Sequence, residues 1–246
     1  EYQKNWKLLQ EQAIELSEKL RSATQNGGST TELRNQLAAQ EKKMKQFLLE
    51  TAERNKGSLL GAIALSIIPV EPVIPSVPEG IAKRDSIIRL MSYLSYKEHF
   101  FDNIDFSQPG LIRSPVLAGK LEQFFGQVVI QMPDSIIKEA DRVIKMSEPQ
   151  NEMFQYVAVW LFNHYRESEI MGHDAVMLKL ADEIYLSGKA DWVTREFRDK
   201  LAKDIELLRN NLIGMKARDL IMDSYHGIFV SLYDIDKDFT ILYFWE

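Results

Sequence analysis

Thr240-Ile241-Leu242-Tyr243-Phe244-Trp245-Glu246 is the stretch on which the fold turns. Six β-branched, aliphatic or aromatic residues in unbroken succession suit a strand covered on both faces. Such a strand normally leads into a loop and a helix, with functional side chains at the junction. The 239 residues before it read differently, and they carry no catalytic motif of their own.

Working back from this stretch, Leu220-Ile221-Met222 and residues 228–232 also read as strands. Between them Asp223-Ser224-Tyr225-His226-Gly227 has hairpin-turn chemistry. Asp236-Lys237-Asp238 then turns the chain into the terminal run. Residues 214–246 therefore form a short β segment of about three strands, an abrupt close to an otherwise helical chain.

Everything earlier reads as mainly α. In residues 1–56, Tyr2, Trp6, Leu9, Ala13, Leu16 and Leu20 alternate spacings of four and three, the seam of a coiled-coil-like helix. Asn26-Gly27-Gly28 breaks it, and Ser29-Thr30-Thr31-Glu32 has the form of a capping box. Leu33, Leu37, Met44 and Phe47 supply the facing stripe of an antiparallel hairpin. Residues 57–80 hold a short buried helix at 59–68, stopped by Pro69, and an extended proline-rich linker. Residues 81–213 form a multi-helix body. Its stripes are Ile87, Met91, Leu94; then Leu117, Leu121, Phe124, Val128 after an Ser114-Pro115 start; then Ile136, Ala140, Val143. Phe154, Val157, Leu161, His164 and His173, Met177, Leu180, Ile184 follow, the last closed by Gly188. Thr194 caps a helix carrying Phe197, Leu201, Ile205 and Leu208. No fixed repeat period marks a solenoid.

Composition sets limits. A chain of 246 residues, 45% hydrophobic and 27% charged, can bury a sizeable core. The net charge of −6 gives no attraction to phosphate backbones, so nucleic acid is not an expected partner. Residues 1–56 carry ten Lys/Arg against eight Asp/Glu, interspersed as on a solvated helical face. The absence of cysteine excludes disulfides, thiolate metal sites and thiol catalysis within these residues. No signal peptide opens the chain, and the longest apolar run is too short to span a bilayer.

The four histidines, His99, His164, His173 and His226, are the natural catalytic or metal candidates. His164 and His173 fall on apolar stripes, where a hydrogen-bonded core histidine is the commoner arrangement. Zinc needs three or four convergent ligands, and no spacing here supplies them. His99 reads as a loop anchor and His226 as a turn residue. Asp102, Asp105 and Asp174 show no pairing that selects two of them, and Asp134 and Asp174 suit helix capping. The aromatics of residues 93–106 suit core packing, with a peptide groove as the alternative. No catalytic, cofactor-binding or metal residue is assigned, and no cofactor is expected.

Gly214-Met215-Lys216-Ala217, Asp219-Leu220, Gly227, Val230-Ser231-Leu232 and Leu242-Tyr243-Phe244-Trp245 together resemble the opening of TlpA-like thioredoxin-fold proteins. In that family Gly-x-x-Ala-Pro precedes an Asp-(Phe/Leu)-x-Leu strand, a Gly turn and a Val-x-Leu strand. A central strand ending in Phe-Trp then leads to Cys-x-x-Cys. Arg218 stands where the family usually has proline. The run from Phe100 to Phe106, Met171-Gly172-His173-Asp174-Ala175 and Gly188-Lys189-Ala190-Asp191-Trp192 are similar to an uncharacterised helical region. That region precedes the thioredoxin-like domain in some envelope proteins of Gram-negative anaerobes.

The resemblance implies a thiol–disulfide oxidoreductase of the periplasm or cell envelope, truncated here before its redox motif. Phe244, Trp245 and Glu246 would flank that missing motif, and this chain alone would not be an enzyme. The expected role is a helical spacer or interaction region, with a protein or peptide partner and self-association through the last strand. A stand-alone helical protein- or peptide-binding module is the alternative, and a hydrolase with a hidden acid or histidine site a third.

Overall fold

The computed structural model describes residues 2–26, 28–216 and 218–243, in two compact units. The described residues are mostly helical and close on a short antiparallel two-stranded sheet, as the hydrophobic periodicities predict.

The first unit comprises residues 1–131 and 138–157. It begins with α1 (Tyr2–Gln25) and α2 (Thr31–Arg54). Tyr2, Trp6, Leu9, Ala13, Leu16 and Leu20 are half-covered, with Ala23 continuing the line, so the seam of α1 lies where its spacing puts it. Tyr2 and Trp6 stack on Phe47 at 5.6 and 6.3 Å between ring centres, while Gln40 Nε2 donates to the Leu9 carbonyl at 3.0 Å. Early α1 thus meets late α2, the antiparallel hairpin expected. The capping box does not form: Thr30 precedes α2 in near-helical geometry and its side chain caps nothing. Its backbone has already turned helical, which carries the hydroxyl away from the free N–H groups.

α3 (Leu59–Ile67) starts at Ser58, whose hydroxyl accepts the Gly61 N–H at 3.2 Å. Gly61 is there because a Cβ would stand 2.3 Å from the Asn55 carbonyl oxygen. Ala64 and Ile68 bury against Leu48 of α2. Residues 69–78 are extended, as their prolines require, yet they belong to the same compact unit as the residues on either side.

α4 (Arg84–His99) is a helix as predicted, but Met91 and Leu94 are exposed. Its partly covered side holds Ile87, Ile88, Ser92, Tyr93 and Tyr96, so only Ile87 of the predicted stripe lies on it. The aromatic run that follows is core: Phe100 and Phe101 are buried and meet Phe124 at 5.0 and 4.7 Å. A 3₁₀ turn (Pro109–Arg113) leads to α5 (Pro115–Gln123), which runs on as one π-helical segment, Phe124–Val128. Pro115 takes the first helical position as read, although Ser114 donates back to the Leu111 carbonyl rather than capping.

α6 (Pro133–Ser147) and α7 (Asn151–Arg166) contribute residues to both units. Ile136, Ala140, Val143, Val157 and Leu161 are fully buried, as their stripes predict. The second unit, residues 132–137 and 158–246, adds α8 (His173–Leu180), a π-helical segment (Ala181–Leu186) and α9 (Arg195–Arg209). Gly188 follows in the left-handed region at φ 89°, and Thr194 accepts the Phe197 N–H at 3.2 Å, both as read. β1 (Ile221–Asp223) then pairs with β2 (Phe229–Ser231), Met222 opposite Val230. The expected third strand is not formed in the described part of its run: residues 240–243 are not part of the β1–β2 sheet and Ile241 is 92% exposed. A strand needs a neighbour's backbone groups, and β1 and β2 satisfy only each other here.

Candidate functional site

Phe244, Trp245 and Glu246, the flank of the expected redox motif, lie outside the described residues. The approach to them is defined. The β1–β2 turn closes through the Gly227 N–H to the Ser224 carbonyl at 2.9 Å, with Gly227 at φ 70°. Asp219 ties the hairpin's open end, accepting from Ser231 Oγ at 2.7 Å and from the Tyr233 N–H at 3.2 Å. Apolar side chains nevertheless face solvent: Ile221, Ile228 and Phe229 are each about two-thirds exposed or more.

The histidines do not converge. His99 ends α4, and its Nδ1 lies 2.7 Å from Asp102 in the turn that follows, so it anchors that loop. His226 lies in the β-turn as predicted, its ring edge-on to Tyr225. His164 stacks on Trp160 one turn earlier, at 4.7 Å and 12°. His173 is buried, its Nδ1 2.8 Å from Ser168 Oγ. Only His164 and His173 share a neighbourhood, with Tyr165 edge-on to both rings.

The aspartates are occupied locally. Asp105 accepts from the Ser107 N–H and hydroxyl, and Asp174 accepts the Ala175 N–H within the first turn of α8. Asp134 likewise stands in the first turn of α6, where a carboxylate suits the helix dipole. Among the described residues no group of three or more His, Asp or Glu side chains is arranged to hold a metal ion.

The most organised charges were not singled out by spacing. Glu139 is nearly buried between Lys97 Nζ at 2.9 Å and Arg142 Nε at 2.8 Å. Arg142 also donates to the Lys97 and Glu98 carbonyls, closing the last turn of α4, and its guanidinium lies 5.4 Å over Phe124. Burial pushes the Glu139 carboxyl up, but the hydrogen bonds and charges of Lys97 and Arg142 outweigh it and hold it below the usual range. The sequence offered only an i,i+3 Glu–Arg pair on α6, with nothing to mark Lys97 as the third member. This triad joins α4 and α6 within the first unit, and its carboxylate is taken up by the two cations.

Recesses are present in each unit. In the first unit an open groove of about 870 Å³ runs past Trp6, Met44, Leu49, Ile67 and Pro69, with the Lys45–Glu71 ion pair at its edge. In the second a smaller cleft of about 340 Å³ lies among Phe162, Met177, Phe197 and Leu208, edged by Arg166 and Lys200. Such recesses suit apolar side chains, and neither presents a nucleophile beside a base. Comparison with protein families, curated proteins and solved structures finds no match to this chain.

Proposed function

We propose that residues 214–246 open a thioredoxin-like domain of the TlpA type. The helical residues before them are then the non-catalytic spacer and interaction region of a cell-envelope or periplasmic thiol–disulfide oxidoreductase. The observation that carries this reading is the hairpin. It has the side chains of a buried sheet, a glycine turn and, among the described residues, two free edges, yet Ile221 and Phe229 are 70% and 73% exposed. Further strands and helices would cover them, and the family resemblance supplies both. The redox chemistry would then belong to a cysteine beyond this stretch, at a helix N-terminus where the dipole and free N–H groups favour the thiolate. Without a thiol these 246 residues cannot exchange disulfides themselves.

The parent gene tests this directly. A Cys-x-x-Cys is expected a few residues beyond Glu246, and a coding sequence without one ends the redox reading. Given that motif, removing the helical region from the full-length protein should spare reduction of a small unstructured disulfide peptide. Turnover of a folded disulfide protein should change. Equal loss of both activities would make the helices part of the catalytic unit rather than a spacer.

The groove beside Trp6 favours a second reading, a helical module that binds a protein or peptide without redox chemistry. Under it, peptide binding persists in the helical region alone and no thiol motif follows.

A further inference from the structure

His173 is only 2% exposed, at the first position of the eight-residue helix α8. Its Nδ1 faces Ser168 Oγ, and the same oxygen accepts the Ile170 N–H at 3.2 Å. Its Nε2 is buried and, among the described residues, has no hydrogen-bond partner. Tyr165 lies edge-on at 5.2 Å, and beyond it the Trp160–His164 stack completes a ladder of four rings.

A neutral imidazole is tolerated here and an imidazolium is not. Protonation makes both ring nitrogens donors. Ser168 Oγ has a lone pair for one of them, while the second N–H would carry charge into a buried place with no acceptor. The N-terminal end of α8 adds the positive pole of a helix dipole. The ionisable groups that act on the ring are His164 and Asp174, with Tyr165 of α7 in ring contact, while Glu167 and Glu169 belong to the loop between α7 and α8. Asp134 of α6 follows Pro133, which packs against Gly172. Burial first, and then His164, hold His173 below the ordinary histidine range, against a weaker pull from Asp174.

We propose that His173 is an acid-operated latch, whose protonation opens the corner between α7 and α8 and frees the first turns of α8. The corner is the part that can yield. Ile170 and Met171 are already exposed, whereas the stripes behind them are fully buried. α8 and the π-helical segment that continues it span 14 residues, a length still marginal on its own, so their helix depends on its contacts more than on its own helicity. Opening would uncover Val176 and Met177, apolar surface that the closed unit hides.

The sign follows from where the proton binds. The open form takes it at the ordinary histidine value, about 6.5, and the closed form only at lower pH. The latch is therefore fully shut above that value and loses stability as pH falls below it. The device belongs to the second unit and needs no redox domain.

Amide hydrogen exchange in residues 173–178, corrected for intrinsic rates, tests it on the intact chain between about pH 7 and pH 5. The opening equilibrium should rise with acid by up to about tenfold per pH unit, the limit for one proton. Amides of α2 should show no such slope, and His173→Gln should lose it at α8. An equal slope in His173→Gln overturns the latch. Should that variant fail to fold, the wild-type ring resonances decide. A His173 ring that titrates at the ordinary value with unchanged α8 protection overturns the proposal. One that resists protonation while α8 opens sustains it.

Discussion

Arg142 concentrates more of the first unit's organisation than any histidine does. It satisfies one side of a nearly buried carboxylate, closes α4 by donating to two of its last carbonyls, and covers the Phe124 ring. Arg142→Ala removes all three contacts at once and leaves Glu139 to Lys97 alone. The loss should be about 2 kcal/mol, below the cost of breaking a fully buried pair because Arg142 and Lys97 keep some access to water. Chemical denaturation at neutral pH measures it. Glu139→Gln separates charge from shape. Because the folded carboxyl is held below its unfolded value, its contribution is present above about pH 4.5 and disappears as pH falls through the folded value. Wild type and Glu139→Gln should therefore differ at neutral pH and converge in acid, and parallel curves would deny the charge its role. Residue-scale chemistry was legible only where a period carried it. His173 announces its burial through the stripe it shares with Met177 and Leu180, but Ser168 belongs to a loop whose path no spacing encodes.

At the scale of elements, helices and their inward faces were read unequally. The α1 seam falls where the alternation of fours and threes predicts, because two long helices in a hairpin meet along one line. On α4 the periodicity marked the helix but not its face: Ile87, Met91 and Leu94 form a plausible stripe, yet Tyr93 and Tyr96 turn inward in place of Met91 and Leu94. Tyr93 earns that position by donating its hydroxyl to the Val128 carbonyl at 3.1 Å, a bond that hydrophobicity cannot foresee. The π-helical turns at residues 124–128 and 181–186 were equally invisible, since Phe124-Phe125-Gly126-Gln127-Val128 reads only as a weakening helix and residues 181–186 as an ordinary one. Gln40 is the polar exception in the hairpin's own seam. Buried at 5% exposure, it donates to the Leu9 carbonyl and the Gln12 side chain, which fixes how α1 and α2 are aligned. A polar seam residue of this kind specifies register at a cost in stability. Gln40→Leu should therefore leave stability unchanged or raise it, by up to about 1 kcal/mol. Cross-links between cysteines introduced at exposed positions of α1 and α2 should then form in more than one register. Destabilisation with a single register retained would assign Gln40 a structural bond instead.

For the whole molecule, the difference between the terminal β segment and the rest is one of coverage. The stripes of α5 to α8 disappear into the two units, whereas every described residue from 213 to 243 keeps at least partial contact with solvent. Hydrophobic pattern reports what a segment is suited to bury, not whether a sheet is present to receive it, which is why residues 240–243 read as a strand yet lie outside the β1–β2 sheet. The same gap gives the tail two separable consequences. Because it buries little, removing residues 218–246 should leave the thermal unfolding of the helices within about 0.5 kcal/mol of the intact chain. Because β1 and β2 each offer an open edge beside exposed Phe229, Ile241 and Tyr243, the intact chain should associate with concentration through this segment. Sedimentation of the intact and shortened chains distinguishes the outcomes. Association that vanishes with the tail, at unchanged Tm, is the expected result. A strictly monomeric intact chain would mean the exposed edges are too short to pair, and a fall in Tm on shortening would mean that the hairpin stabilises the second unit it belongs to rather than opening a further domain.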